Sequence, residues 1–122
     1  MRPPPPSVLV PSIMGVALRV YEVVALDQVP LVGLSVLNHF WSCLPYLVAA
    51  GVSLFPVPAV LAAGYASACL LADLYGHVAL YRGPGTDSLF VIFLPLWNLL
   101  VIGPAGAALA WLLARSRGSR AA

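Results

Sequence analysis

The chain has 122 residues, 61% of them hydrophobic and 8% charged, with a mean hydropathy of +0.97 and a formal net charge of +2. A soluble domain carries about 25% charged residues, so this composition excludes an ordinary water-soluble globule, and its apolar segments leave no room for a separate soluble domain. Every positive charge is an arginine, and none belongs to a basic face interleaved with aromatics, which excludes a nucleic-acid-binding surface.

No formal charge lies between Asp27 and Asp73, or between Asp87 and Arg115. Each stretch exceeds the roughly 20 apolar residues a helix needs to cross a bilayer. The expected architecture is therefore all-α: one polytopic transmembrane bundle of four spans, near residues 8–26, 31–51, 57–81 and 88–114. The alternative is three spans with residues 8–26 lying in the interface as an amphipathic helix.

In chain order, residues 1–7 (MRPPPPS) predict a short extended polyproline tail. The first span follows, and Arg19, Tyr21 and Glu22 stand where a signal peptide would carry small residues for cleavage, so we read it as retained. Arg19 and Glu22, three apart, are placed to pair across one helical turn. After the connection at residues 27–30 (DQVP), the second span holds Asn38, His39, Ser42 and Pro45, and the proline is expected to kink it. Residues 53–58 (SLFPVP) predict a tight turn.

The third span is the organising stretch. Steps of four residues through it give Tyr65, Cys69, Asp73, His77 and Tyr81, which share one slowly drifting helix face. The same span is rich in small residues, which let helices approach closely in lipid; Gly64 with Ala68, and Gly103 with Ala107 on the fourth span, are the predicted packing pairs. Residues 82–87 (RGPGTD) predict a glycine–proline turn. The fourth span contains Pro95, Asn98, Gly103 and Pro104, and its prolines are expected to bend or break it. A basic tail, residues 115–122, carries Arg115, Arg117 and Arg120. Cys43 and Cys69 sit in apolar segments without metal-ligand spacing and are expected as buried free thiols.

With four spans, Arg2 and the three tail arginines fall on one side against Arg82 on the other, which places both termini in the cytoplasm, with a bacterial inner membrane as the expected location. A rise of about 1.5 Å per residue puts Arg19 and Asp73 each roughly 10 Å below the opposite surface. Glu22, Asn38, His39, His77 and Asn98 fall in the same leaflet. An ionisable group inside a span faces protein or water rather than lipid, so these seven residues predict a shared intramembrane polar cluster, with Arg19 and Asp73 as natural partners.

Asp73 and His77, at i and i+4, have two readings: a carboxylate–imidazole pair of the kind used in proton relays, or a polar bridge between helices. His39 and His77 are the candidate axial ligands of a haem, and the same polar region with Trp41, Tyr75 and Phe90 could hold a quinone; no other metal site is expected. There is no nucleophile elbow, phosphate loop, HExxH or paired-carboxylate spacing, so no enzymatic chemistry is expected. The leading functional expectation is a non-catalytic accessory subunit of a larger membrane complex, in contact with lipid and with other membrane subunits or further copies of itself. The alternatives are an oligomeric proton-coupled transporter or channel using Asp73, Arg19 and His77, and a haem- or quinone-binding membrane subunit.

Overall fold

A computed structural model describes residues 3–26, 34–80 and 88–120, and within them the regular structure is all helical. Helix α1 (Pro6–Tyr21) runs into a π-helical turn, Glu22–Leu26. Helix α2 is Leu34–Val52, and α3 (Ala59–Tyr75) again ends in a π turn, Gly76–Leu80. The fourth rod is continuous: α4 (Ser88–Trp97), a π turn at Asn98–Ile102, and α5 (Gly103–Arg120). The expected connections at residues 27–30 and 82–87, together with Arg2, Tyr81, Arg82 and the side chains of Phe90 and Arg120, lie outside the described residues.

Local chemistry explains the helix ends. Pro5 is extended at φ −69 and ψ 155, but residues 6–7 of the expected extended tail are helical: Pro6 opens α1, because the first helical position needs no N–H. At residues 53–58 the predicted turn closes through Leu54 N–H to Gly51 O and Phe55 N–H to Val52 O, both 3.1 Å, with the Ser53 hydroxyl on Ala50 O at 2.7 Å. The basic segment after residue 114 continues as helix to Arg120 rather than ending in a tail.

Helix α3 is central: it touches α1, α2, α5 and the π turn of the fourth rod. The fourth rod lies against α2 with its α4 half and against α3 with its α5 half. Gly64 and Gly106 bring α3 and α5 together at backbone distance, since a Cβ on either would stand 2.6 Å from the other's carbonyl oxygen. Ala68 and Ala110 flank the contact. The groove therefore uses Gly64 and Ala68 as expected from α3, but Gly106 and Ala110 from α5. Gly103 lies under the Tyr65 ring instead, and Ala107 is half-buried. A small apolar core of Val8, Ala49, Ala62 and Ala66 occupies the end of the bundle where α1 begins.

Two helical stretches, Ala59–Ala79 and Phe93–Gly118, are long and apolar enough to cross a membrane, whereas Pro6–Tyr21 and Val36–Val52 are apolar but shorter. Among the described residues, four expected spans thus become four apolar helices, two of them of spanning length. The first loses its regular α geometry at Glu22, and the second is described only from Leu34.

Candidate functional site

Charged side chains are buried while large apolar ones stand outside. Arg19, Glu22, Asp73 and Asn98 are 4%, 9%, 1% and 1% exposed, while Ile13, Leu37, Leu71, Val78 and Leu100 stand largely outside. Charged residues are almost never fully buried unless paired, and these are paired with one another.

Asp73 is the hub. Arg19 of α1 grips it with two bonds, Nε to Oδ2 at 3.1 Å and Nη2 to Oδ1 at 2.5 Å, the planar fork that suits a carboxylate. Tyr46 of α2 donates its hydroxyl to Oδ2 at 2.5 Å, and Asn98 of the fourth rod donates Nδ2 to Oδ1 at 2.6 Å. Four donors from three other helices thereby converge on one carboxylate. The remaining Arg19 nitrogen, Nη1, reaches Glu22 Oε2 at 3.1 Å, and the other Glu22 oxygen meets His77 Nδ1 at 2.9 Å. His77 is the open edge of the network, with its side chain 25% exposed and Tyr21 edge-on to its ring. With His77 neutral the group carries one net negative charge, from two carboxylates against one guanidinium; protonation of His77 brings it to zero.

The backbone is shaped for this arrangement. The turn that begins at Asn98 bonds Gly103 N–H to Asn98 O instead of the α-helical Leu99 O, and Pro104, the next donor in line, has no N–H. The Leu99 carbonyl is thereby released from the helix, and the Tyr65 hydroxyl takes it at 3.0 Å. Cys69 Sγ lies 3.5 Å from Asn98 O, so the stripe Tyr65, Cys69, Asp73, His77 is hydrogen-bonded along its whole described length. Each of the three π turns contains or begins at a network residue: Glu22, His77 and Asn98. Such bulges widen a helix by one residue and occur often at functional positions.

Of the residues expected to cluster, Arg19, Glu22, Asp73, His77 and Asn98 are joined directly. From α2 the bond to Asp73 comes from Tyr46, a residue the spacing argument passes over. Asn38 and His39, both half-buried, stand about 12 and 10 Å along the helix axis from Tyr46, and Asn38 uses its carbonyl to accept the Ser42 hydroxyl at 2.9 Å. A signal for Tyr46 was present in Gly15. The Tyr46 ring lies where a Cβ on Gly15 would be, so the missing side chain of α1 makes room for the hydroxyl to reach Asp73. Of the aromatic walls proposed for a quinone, Tyr75 is 66% exposed. Among the described residues, no group of three or more His, Cys, Asp or Glu side chains could hold a metal ion. The Asn98 Oδ1 and Ser12 hydroxyl oxygens are buried without a partner among the described residues.

Fold and site together define an apolar-sheathed bundle of four helices, tied at one level by a buried ionic network. The chain matches no protein-family model, no curated protein and no solved structure.

Proposed function

We propose that this protein is an integral membrane subunit without catalytic chemistry of its own, and that its buried network is a clamp fixing the register of four helices. One observation supports this best: Asp73, 1% exposed, is saturated by donors from three other helices while the outer surface is apolar. In lipid there is no hydrophobic force between helices, so packing and directional polar bonds must supply specificity. The fourth rod supports a role inside a larger assembly, because Leu109, Trp111, Leu112 and Leu113 of α5 are large apolar side chains left exposed. Arg115 and Arg117 favour the cytoplasmic side for the end that carries them. The test is the composition of the particle purified in mild detergent, read by native mass spectrometry. Other polypeptides in fixed ratio to this chain are the expected result; this chain alone, as monomer or homo-oligomer, would overturn the subunit reading.

The exposed edge at His77 favours a second reading, a proton-coupled carrier in which Asp73 titrates against Arg19. Saturation of Asp73 argues against it, since a carrier group must exchange partners during transport. Proton flux in proteoliposomes that disappears in Asp73→Asn would move the proposal to the carrier; flux no greater than in protein-free vesicles sustains the clamp.

A further inference from the structure

The α3–α5 contact sets a level for the last turns of the fourth rod. Gly64 faces Gly106 and Ala110, and Gly106 faces Gly64 and Ala68, which fixes the two helices in antiparallel register. Carried along both axes, that register brings Ala59, the start of α3, level with Leu113, and the 53–58 turn level with Arg115 and Arg117. The same register sets Trp97 level with Tyr75, and the Arg19–Asp73 bond sets Tyr21 there too. Tyr21, Tyr75 and Trp97 are all exposed, on α1, α3 and the fourth rod. The apolar stretch Ala59–Ala79 is about 30 Å long, the thickness of a hydrocarbon core, and its first residue stands level with Leu113, two residues before Arg115. The arginines therefore emerge at the opposite interface.

Their chemistry there is specific. Trp111, one turn inside, is exposed, and the Arg115 guanidinium lies 5.4 Å from its ring centroid, a cation–π contact that orients the arginine along the helix. Among the described residues no carboxylate pairs with Arg115 or Arg117, and the sequence holds no acidic residue after Asp87. Guanidinium forks left open at an interface match phosphate oxygens.

We propose that Arg115 and Arg117, seated above Trp111, bind the phosphate of anionic phospholipid headgroups and hold a shell of such lipids against α5. This rests on the membrane reading above, and the experiment separates the two. A Trp41→Phe/Trp97→Phe chain, reconstituted in vesicles, reports from Trp111 alone. Its fluorescence is quenched by brominated phosphatidylglycerol or brominated phosphatidylcholine, each diluted into the unbrominated mixture. The expected result is a preference of about fivefold or more for the anionic lipid at low salt, from the roughly fivefold that one arginine near an anionic surface supplies. That preference falls toward one at about 1 M salt, where screening acts within about 3 Å, and in Arg115→Gln/Arg117→Gln. Equal quenching by both lipids at low salt overturns the headgroup proposal and leaves the membrane reading intact. Absence of quenching by either lipid places Trp111 outside the acyl region or under another polypeptide, and overturns the lipid shell as well.

Discussion

The two ends of the bundle hold their helices together by opposite means. Where α1 begins, Val8, Ala49, Ala62 and Ala66 fill a core of small apolar residues, and Gly64 and Gly106 let backbones touch. At the other end the contacts are charges and hydroxyls: Arg19, Glu22, Tyr46, Asp73, His77 and Asn98. The first end gains dispersion from proximity, which depends on shape and tolerates no added atoms. The second gains directional bonds, which depend on every member being present. A protein joined by both should fail differently when each is cut.

The largest effect should follow from Asp73→Ala. It leaves the Arg19 guanidinium, 4% exposed, with Glu22 alone for a partner, and deprives Tyr46 and Asn98 of their acceptor. Removing one partner of a buried ion pair costs about 3 to 5 kcal/mol, enough to abolish the folded state of a small helical protein in a denaturing-detergent titration. The double variant Arg19→Met/Asp73→Leu removes both charges and should recover most of that loss, because an apolar replacement of a buried pair is often neutral or better. A double variant as unstable as Asp73→Ala would mean that the network contributes net attraction rather than register.

Next in size is Gly106→Ala. Its Cβ would meet the Ala68 side chain and stand 2.6 Å from the Gly64 carbonyl oxygen, a backbone atom that can retreat only if α3 and α5 separate. Overpacking of this kind costs about 1 to 3 kcal/mol. Gly118→Ala on the same helix, where nothing stands within 4 Å, should leave the unfolding midpoint unchanged. If both variants behaved alike, the close approach would not be what joins these helices.

The two ends also differ in how far they can be read from sequence. Counting the rise per residue is sufficient to set Arg19 and Asp73 at one depth, and in the structure the guanidinium and carboxylate meet. The Arg19–Glu22 pair follows from their separation of three along one helix. Tyr46 could not be found this way: its Cα lies well down α2, and its hydroxyl gains the network only through the length of the side chain and the gap at Gly15. At the small-residue end, composition marks α3 as a packing helix but leaves the face of α5 open. Gly103 with Ala107 and Gly106 with Ala110 have the same spacing, and the π turn before Gly103 shifts the helix phase so that Gly106 and Ala110 meet Gly64. No periodicity argument anticipates an extra residue in a turn.

Tyr46→Phe removes one of the four donors to Asp73 and keeps the ring against Gly15. Hydrogen bonds to charged groups contribute about 1.5 to 3 kcal/mol in general, while pairs measured between membrane helices average about 0.6. A loss of about 1 kcal/mol is expected, with Gly15→Ala costing more because its Cβ would displace the ring itself.

The smallest effect belongs to Tyr65→Phe, and it tests the π turn of the fourth rod rather than either end. The Tyr65 hydroxyl bonds the Leu99 carbonyl, which the π turn and Pro104 leave without a helical donor. Removing it leaves that oxygen unpaired in a rod that the Asn98 bond to Asp73 still holds in place. A single interhelical hydrogen bond of this type is worth about 0.6 kcal/mol, so the midpoint should move little. The infrared band of an isotopically labelled Leu99 carbonyl should nevertheless shift to higher frequency as its hydrogen bond is lost. An unshifted band would mean that another donor reaches Leu99, and that the released carbonyl does not depend on Tyr65.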